Sequence, residues 1–574
     1  MIEIEKIIRD LITSAIGDLN LSPTDFVIER PDNLARGDYA TNIALVLAKV
    51  TGQAPLALAQ RIAEKLKASP LEFPKARPWL ERIEVATPGF INFFLTREFF
   101  ADEVSQMIEQ GDKYGAGTIK TGRKIMVEYT DPNPFKEFHV GHLMSNTIGE
   151  SISRLIESQG AEVKRVCYQG DVGLHVAKSI WAALKNKPND ITDWAKCYAT
   201  AAQSYEADET AKQEINEINK RIYDQSNSEI NALYGAGRKL SLVYFETIYK
   251  RLGTKFDYYF FESESGLVGQ KLVEDNLGKI FESSDGAVIF RGEKYAAPVG
   301  GQGLHTRVFL NSEGLPTYEA KELGLAKLKF EQYPYGESIV ITGNEVTGYF
   351  AVLKKVLELI FPDLAKKTKH LPHGMLRLAT GKMSSRTGSV ITVESLLTEV
   401  KAVANQKVAV RDFDAGERER VAEAVAIGAI KYSILKQSPG RDIIFDLAKS
   451  LSLAGDSGPY LQYSYVRARA VMEKARAEKI PTNLDQPTIE ISELERRLAR
   501  FPEVVARAAA LYAPNLIVTY LTELASSFNT YYAVQKIIDP ADPHSPYRLA
   551  LTAAFSNVMK SGLTLLAIPV IKRM

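Results

Sequence analysis

Two short segments, far apart in the chain, carry side chains suited to binding a polyphosphate. Residues 133–142 read Asn-Pro-Phe-Lys-Glu-Phe-His-Val-Gly-His, and residues 381–388 read Gly-Lys-Met-Ser-Ser-Arg-Thr-Gly. The first contains two imidazoles, and the second contains an ammonium and several hydroxyls. Phosphoryl chemistry is catalysed mainly by positioning and by stabilising charge, and these groups are suited to both tasks. We interpret the two segments as the two parts of one divided ATP site.

The first segment is expected where a strand turns into a helix. Lys124 to Tyr129 is an apolar-rich run of strand character, and the apolar residues of Leu143 to Ile156 recur at helical spacing. A helix start offers free N–H groups and a positive dipole end, so a polyphosphate can lie there against His139 and His142. Gly141 leaves room for close approach. A histidine in a turn is more often a surface donor than a catalyst, so this string alone is weak evidence.

The second segment is interpreted as a small, flexible loop that brings its cation and hydroxyls over a triphosphate. The predicted ATP contacts from this loop are Lys382, Met383, Ser384 and Ser385. A solvated basic loop is a comparable interpretation of this string alone.

Both strings, in this order and separated by a long α/β stretch, resemble the two signature motifs of the class I aminoacyl-tRNA synthetases. Val127 to His142 resembles the Val-Glu-Phe-x-x-x-Asn-Pro-x-x-x-x-His-Val-Gly-His segment of the arginyl-tRNA synthetases, with Tyr129 in place of Phe. Further segments that resemble this family run nearly end to end: Gly37 to Asn42, Pro88 to Asn92, Gly458 to Tyr463, and Arg573-Met574.

The resemblance implies a reaction in which arginine and ATP give arginyl-adenylate and pyrophosphate. The arginyl group then passes to the 3′-terminal ribose of tRNA(Arg), and AMP is released. The implied partners are ATP with Mg²⁺, L-arginine and tRNA(Arg), and family members typically need bound tRNA before activation occurs. We expect a monomer in the cytoplasm.

An arginine pocket must present acceptors, because a guanidinium carries five donors and no acceptor. The resemblance implies a pocket from Glu128, Asn133, Tyr318 and Glu322, with Glu345 as a further member. The family usually has Asp where this chain has Glu322, so the pocket must be rearranged by about one methylene. Tyr318 and Glu322 are four apart and share a face if helical. Without the resemblance, Glu322 would be interpreted as a solvated helix carboxylate.

A second departure from the family pattern lies in the flexible loop, where general class I members have another Lys at the position of Ser385. Arginyl members commonly pair a Lys at the place of Lys136 with a weakened loop. We therefore predict that Lys136 and Lys382 are the working cations, together with the catalytic histidines. An exposed loop lysine is the alternative for Lys136.

His175 and Asp171 are also predicted to line the adenosine or the amino-acid side of the site, and His175 is counted with the arginine ligands. Both follow a strand expected at Val163 to Tyr168, and ligands of open α/β sheets bind at the carboxyl edge of the strands. A simple turn with a capping Asp is the alternative.

Composition limits the other classes of function. The 574 residues carry 71 Lys+Arg against 70 Asp+Glu, so any nucleic-acid footprint must be a local patch rather than a general polycation. Two cysteines are too few for a disulfide framework or a Cys-rich zinc site, and we expect no side-chain metal site. No signal peptide or apolar run long enough for a bilayer is evident, so no membrane partner is expected.

Composition shifts predict an α/β fold with three parts. Residues 1–115 form an N-terminal α/β module, which in the family contacts the tRNA elbow. Residues 120–392 form a Rossmann-like parallel-sheet catalytic domain with a polar helical insertion at about 188–255. Residues 393–574 form an all-α helical region, with the anticodon-binding domain at about 455–574.

The helical region has basic and aromatic side chains that could position phosphates and stack on loop bases. The basic candidates are Arg467, Arg469, Lys474, Arg476, Lys479, Arg496, Arg497, Arg500 and Arg507. The aromatic candidates are Tyr512, Tyr520, Phe528, Tyr531 and Tyr532. The alternative is that most of these arginines pair with neighbouring glutamates and most of the aromatic side chains are core.

Two rival functions share some of these features. A small-molecule adenylyltransferase would share the histidine and lysine motifs, but it would need neither the N-terminal module nor the helical third. A non-catalytic tRNA-binding paralogue would lack His139, His142 or Lys382, and all three are present. A lysine or glutamine enzyme would not be expected to carry the Gly37 to Asn42 and Gly458 to Tyr463 matches.

Overall fold

A computed structural model describes residues 3–22, 24–31, 33–68, 79–295, 303–379, 391–408, 413–484 and 490–574. The N-terminal module is an antiparallel sheet with strand order β1-β2-β4-β3. Its strands are β1 Ile28–Glu29, β2 Tyr39–Thr41, β3 Leu80–Ala86 and β4 Phe90–Leu95. Its helices are α1 Glu3–Asp18, α2 Ile43–Thr51, α3 Pro55–Ala68 and α4 Arg97–Gln110. Apolar residues of both layers interlock beneath the sheet.

The central domain is built on a five-stranded, fully parallel sheet of order β12-β11-β5-β6-β7. Its strands are β5 Lys124–Glu128, β6 Glu162–Gln169, β7 Tyr258–Phe261, β11 Glu337–Gly343 and β12 Thr368–His373. The crossover and flanking helices are α5 Val140–Ser158, α6 Leu174–Asn186, α10 Glu262–Asp275, α11 Tyr318–Gln332, α12 Thr347–Ile360 and α13 Pro362–Lys367. The strand order reverses between β5 and β11, which makes the carboxyl ends of these two strands the expected ligand crevice.

Two additions decorate this sheet. A helical insertion between α6 and β7 consists of α7 Ile191–Ala207, α8 Glu209–Asp224 and α9 Ser228–Leu252. A small antiparallel sheet of order β10-β9-β8 consists of β8 Glu282–Ser284, β9 Ala287–Phe290 and β10 Arg307–Leu310.

The remainder of the chain is mainly helical. A short parallel pair, β13 Leu376–Leu378 and β14 Ile443–Phe445, leads into it. The helices are α14 Val393–Val408, α15 Ala415–Leu435, α16 Leu447–Ser450, α17 Gly458–Ala477, α18 Glu493–Leu498, α19 Phe501–Leu511, α20 Pro514–Val534 and α21 Ser545–Leu565. The sequence pattern predicts one helix over 491–511, and this is wrong: α18 and α19 are separate, because Pro502 cannot donate the hydrogen bond that a continuous helix requires.

Helix α5 connects these parts. It lies between the parallel sheet and helices of the C-terminal region, and 14 of its 19 residues are buried. Ser151 Oγ donates to the Leu565 carbonyl at the end of α21, at 3.0 Å. The predicted fold class, a parallel-sheet domain with an N-terminal α/β module and a helical C-terminal region, is confirmed.

Candidate active site

The N-terminus of α5 is capped by the two histidines of the first sequence segment. His139 Nδ1 accepts from the backbone N–H of Gly141 at 3.1 Å. His142 Nδ1 accepts from the backbone N–H of His139 at 3.3 Å, and the two rings stack with centroids 3.5 Å apart. The helix therefore begins with an imidazole cap where a Ser, Thr, Asp or Asn is usual.

Both imidazoles are neutral at physiological pH. Burial, with a smaller contribution from the Lys136 ammonium, lowers the pKa of His139 to about 4. Burial also holds the pKa of His142 well below its usual value, and the charges of His139 and Lys136 act in the same direction. Because each Nδ1 accepts a hydrogen bond, each ring carries its proton on Nε2. The cap thus presents two Nε2–H donors, which suit phosphate oxygens.

Lys136 supplies the positive charge that the imidazoles lack. Its Nζ lies 4.1 Å from the ring centroid of Tyr198 in α7, a cation–π contact. Within the described ranges, no carboxylate forms an ion pair with it, and burial lowers its pKa to about 8. This ammonium is partly desolvated and open to an anionic ligand.

The second sequence segment lies outside the described residues, and with it Lys382, Met383, Ser384 and Ser385. The chain that follows this segment is bound to the histidine cap. Val140 N–H donates to the Ile391 carbonyl at 3.1 Å, and Val393 N–H donates to the Phe138 carbonyl at 2.8 Å. Residues 391 and 393 therefore hydrogen-bond the backbone on both sides of His139.

The turn between β5 and the histidine cap has a strained backbone that the helical insertion supports. Thr130, Asp131 and Phe135 have φ angles of 85°, 45° and 68°, which non-glycine residues rarely adopt. Phe135 N–H donates to Ser241 Oγ of α9 at 2.8 Å, and its ring packs on Trp194 of α7 with centroids 5.1 Å apart. Strain of this kind concentrates at functional sites.

A group of carboxylates, here called the acid cluster, consists of Glu128, Asp131 and Glu322. Glu128 is 1% exposed and accepts from Lys329 Nζ at 2.5 Å. Asp131 accepts from the backbone N–H of Tyr168 at 2.8 Å. Glu322 lies two helical turns before Lys329 on α11, is half-buried, and forms no hydrogen bond or ion pair with any residue that the structure describes.

The acid cluster has three carboxylates against one ammonium. Burial is the main cause that raises the pKa of Asp131 and of Glu322 well above their usual values, and the charge of Glu128 raises both further. A planar cation with several donors would relieve this repulsion. The acid cluster is therefore complementary to a guanidinium.

A second buried ion pair lies close by, and its carboxylate and Asn133 both approach Gly170. Lys321 Nζ lies 2.6 Å from Glu262 Oε2, with both side chains 5% exposed. A Cβ atom on Gly170 would lie 2.3 Å from Asn133 Oδ1 and 3.2 Å from Glu262 Oε1. Only glycine allows the amide of Asn133 to approach the backbone this closely.

The other predicted arginine ligands are Tyr318, Glu345 and His175. Tyr318 begins α11 and is 60% exposed. Glu345 is exposed, and its carboxylate lies over Gly343 within 2.4 Å of the place that a Cβ would take. His175 Nε2 bonds the Gly170 carbonyl at 2.8 Å, and burial lowers its pKa to about 3, so its ring is neutral.

Asp171 acts as a structural anchor. Its carboxylate accepts from Arg238 Nε at 2.9 Å, from Tyr234 Oη at 3.0 Å and from Ser263 N at 2.9 Å. These bonds tie the insertion helix α9 to the start of α10. The alternative of an Asp that stabilises a turn describes this residue better than a ligand contact does.

Sequence reasoning missed Asp131, Glu262, Lys321 and Lys329. Lys329 follows Glu322 by seven residues, a helical spacing that places both on one face, so a signal for it existed. Glu262 and Lys321 are 59 residues apart, and no local pattern pairs them.

Most of the predicted RNA-contacting side chains have intramolecular partners. Arg469 bonds Glu473 at 2.8 Å, and Arg497 bonds Glu493 at 2.8 Å and Glu523 at 2.7 Å. The buried aromatics are Tyr512, Tyr520 and Phe528, whereas Tyr532 is exposed. The structural alternative thus describes these side chains, whereas the half-buried Arg500 forms no ion pair or side-chain hydrogen bond with a described residue.

Comparison with known proteins decides the family. The model described as "Arginyl tRNA synthetase N terminal domain" matches residues 3–95, "tRNA synthetases class I (R), catalytic domain" matches 103–447, and "DALR anticodon binding domain" matches 461–574. The arginine–tRNA ligase of Clostridium perfringens is 31% identical over 585 residues, covering 99% of this chain and 100% of the relative. The chain belongs to the arginine–tRNA ligase family.

Other comparisons agree with this assignment. The arginine–tRNA ligase of Ligilactobacillus salivarius is 30% identical over 98% of both chains. The fold matches the Thermus thermophilus arginyl-tRNA synthetase with a TM-score of 0.78 at 24% identity, covering 99% of this chain and 100% of that one. It also matches the Plasmodium falciparum arginyl-tRNA synthetase with a TM-score of 0.79 at 19% identity, covering 100% and 99%.

The predicted function is therefore confirmed: the protein is an arginine–tRNA ligase of class I, which uses ATP as a substrate and binds arginine and tRNA. A free-standing adenylyltransferase does not account for the matches to the N-terminal and anticodon-binding domains. Of the helices that the structure describes, none has the length and apolar character needed to cross a bilayer.

Proposed function

We propose that the histidine cap and the flexible loop form the ATP end of one active site. The Nε2–H donors of His139 and His142 contact the phosphates, and Gly141 allows the close approach. Lys136 brings its ammonium from one side and Lys382 from the other, while the remaining loop contacts come from Met383, Ser384 and Ser385. The stacked neutral rings support these roles, as does the ammonium of Lys136, which forms no ion pair with any residue in the described ranges.

The acid cluster is the pocket for the arginine side chain. Glu322 supplies the carboxylate that pairs with the guanidinium, and Glu128 contributes a second acceptor while it stays paired with Lys329. Asn133, Tyr318, His175 and Glu345 lie around the pocket. The observation that carries the proposal is that Glu322 is half-buried among other carboxylates and forms no ion pair or hydrogen bond with any described residue, because the nearby Lys329 is bonded to Glu128.

The reaction proceeds by two transfers without a side-chain nucleophile. In the first, a carboxylate oxygen of arginine attacks the α-phosphorus of ATP in line, the bond to the α–β bridging oxygen breaks, and pyrophosphate leaves. In the second, a hydroxyl of the 3′-terminal ribose of tRNA(Arg) attacks the arginyl carbonyl, and AMP leaves. The protein contributes alignment and the neutralisation of phosphate charge.

Mg²⁺ enters as a partner of ATP. Among the described residues, no group of three or more His, Cys, Asp and Glu side chains is arranged to hold a metal ion. A magnesium ion needs no such group, since it is commonly held by substrate phosphates, water and one or two carboxylates. When bound, it supplies further neutralisation of phosphate charge.

The roles of the two lysines are tested by pre-steady-state formation of arginyl-adenylate. Lys136→Ala and Lys382→Ala should each slow the chemical step by roughly 10- to 1,000-fold, the range seen when one group that stabilises the transition state is removed. A Lys136→Ala variant with the wild-type rate, alongside a slow Lys382→Ala variant, contradicts the shared role.

The accessory roles follow from the family. Residues 1–115 contact the tRNA elbow, residues 120–392 carry the catalytic site, and about 455–574 of the helical region 393–574 bind the anticodon stem and loop. The protein acts as a cytoplasmic monomer, and arginine activation depends on bound tRNA. Pyrophosphate exchange at full rate without tRNA contradicts that dependence, and sedimentation equilibrium checks the monomer.

A further inference from the structure

A cavity of about 280 Å³ lies between the N-terminal module and the start of the α18–α19 region. Its lining combines one edge of the module with four arginines. The lining residues are Arg30, Pro31, Asn33, Gly37, Asp38, Glu493, Arg496, Arg497 and Arg500. The cavity is separate from the acid cluster and from the histidine cap, and it has no part in the reaction described above.

Two of the four arginines fasten the module to the helices. Arg30 is bidentate to Glu503 of α19, with Nε–Oε2 at 2.6 Å and Nη2–Oε1 at 2.7 Å. Arg496 pairs with Asp38, whose other oxygen accepts from the backbone N–H of Leu95 at 2.8 Å. These guanidiniums are neutralised within the protein.

The turn that presents Asp38 depends on the glycine before it. Gly37 has a φ of 88°, and a Cβ atom there would lie 2.7 Å from the Phe93 carbonyl oxygen. Asp38 N–H donates to that same oxygen at 2.8 Å. The cavity wall on the module side is therefore a fixed backbone turn.

Arg500 is the exception among the cavity arginines. Arg497 is bound by Glu493 and Glu523, and Glu503 is bound by Arg30. Arg500 is half-buried, and no described residue forms an ion pair or side-chain hydrogen bond with it. Burial lowers its pKa, and the charge of Arg30 contributes to the lowering. The charges of Glu503 and Glu523 oppose this lowering, but these two carboxylates are already bound by Arg30 and Arg497. A partly desolvated guanidinium beside two other arginines, with its acidic neighbours engaged elsewhere, is stabilised by an added anion.

A phosphate group fits this arrangement. A guanidinium binds phosphate in a bidentate fork, and the cavity is large enough for a phosphate with its flanking sugars. The protein binds tRNA, yet its net charge is only +1, so backbone recognition requires local sites of this kind. The cavity touches both parts of the chain that flank the catalytic domain.

We propose that this cavity binds a backbone phosphate of tRNA, with the guanidinium of Arg500 as the principal donor. The N-terminal module and the helical region then contact the same phosphodiester, so that bound tRNA links these two parts of the chain. The proposal rests on tRNA binding, which the family establishes, and is independent of the roles proposed for the active site.

The test is tRNA binding by Arg500→Gln measured over a series of KCl concentrations. The Kd for tRNA should rise roughly tenfold at low salt. The slope of log Kd against log salt should fall by about one, the signature of one lost phosphate contact. In steady-state aminoacylation, the KM for tRNA should rise while kcat at saturating tRNA and the KM values for arginine and ATP stay unchanged.

Arg507→Gln is the matched control, because Arg507 lies on α19, the helix that Arg500 precedes as its N-cap residue, is exposed and does not line the cavity. Its effect on the salt slope should be smaller than that of Arg500→Gln. An equal effect of both substitutions, or none of Arg500→Gln, overturns the proposal.

Two further measurements test whether Arg500 has a structural role and whether the cavity binds a free anion instead of tRNA. Without tRNA, Arg500→Gln should be at least as stable as the wild type, because it removes an unpaired charge. A large loss of stability shows that Arg500 has a structural partner and contradicts the proposal. Inorganic phosphate and pyrophosphate are the remaining probes. If either anion raises the Tm of the wild type but not that of Arg500→Gln, while the variant binds tRNA with unaltered affinity, the cavity binds a free anion and the proposal fails.

Discussion

Substitution of Glu322 by Gln should move stability and arginine binding in opposite directions. In the free protein the substitution removes one of three clustered carboxylates and keeps the shape of the side chain. In the arginine complex it removes the carboxylate proposed to pair with the guanidinium. The same change should therefore raise the free energy of unfolding and weaken the binding of arginine.

The gain in folding stability should be smaller than the loss in arginine binding. Glu322 is half-buried, so solvent screens its repulsion from Glu128 and Asp131, and the gain in stability should be about 0.5–1 kcal/mol. Loss of a desolvated, charge-assisted pair in the complex should cost about 3 kcal/mol, which corresponds to roughly a 100-fold rise in the KM for arginine. The KM for ATP should stay within about twofold, since the histidine cap is untouched.

Urea unfolding at pH 7 and steady-state aminoacylation measure the two effects. Since the folded-state pKa of Glu322 is raised, its ionisation destabilises the free fold as pH rises through that pKa. The stability advantage of Glu322→Gln should accordingly grow with pH above about 4 and then level off. Glu322→Asp, which keeps the charge, is the control and should retain most of the arginine affinity.

Either of two results refutes this reasoning. If Glu322→Gln is destabilised at neutral pH, the carboxylate has a stabilising partner in the free protein. If the KM for arginine changes less than about threefold while the variant is folded, a group other than Glu322 binds the guanidinium.

Three other predictions follow, two on charge and space around the site and one on a buried lysine of the C-terminal region. The pKa of about 8 makes Lys136 lose its charge in the free enzyme as pH rises, so kcat/KM for ATP should fall above pH 8, and Lys136→Arg should move that fall to higher pH. Gly170→Ala would collide with Asn133 Oδ1 and should raise the KM for arginine roughly tenfold with little change in the KM for ATP. Among the residues that the structure describes, buried Lys431 bonds the carbonyls of Leu252 and Ala567 and no carboxylate, and burial lowers its pKa to about 7. The unfolded chain then binds more protons than the folded one between pH 7 and 10, so the wild type should gain stability relative to Lys431→Met from pH 7 to 9 in urea unfolding.

Local patterns were sufficient to predict the positions of the strand and helix around the histidines. The predicted strand at Lys124 to Tyr129 corresponds to β5, and the predicted helix over Leu143 to Ile156 lies inside α5. Period and composition determine such elements because α5 is buried between the sheet and the C-terminal helices. The resemblance added which of these elements belong to the active site.

Long-range charge pairing was not accessible to sequence reasoning. Glu128 pairs with Lys329, which is 201 residues away in sequence, and Glu262 pairs with Lys321, which is 59 residues away. Only the packed sheet decides which carboxylates are neutralised within the protein and which, like Glu322, are left for a ligand. The same holds for the arginines: Arg496, Arg497 and Arg500 look alike in sequence, but only Arg500 has no ion-pair partner in the part of the chain that the structure describes.

The central claim is that the carboxylate of Glu322, which has no ion-pair partner among the described residues, selects the guanidinium, and discrimination against citrulline tests it most directly. Citrulline has nearly the shape of arginine, but its side chain carries no charge. In aminoacylation of tRNA(Arg), kcat/KM for citrulline should be lower than that for arginine by roughly 10³-fold or more, because Glu322 would remain without an ion-pair partner. The Glu322→Gln variant should reduce this discrimination by at least about tenfold. Discrimination that is equally strong in the variant and the wild type contradicts the claim.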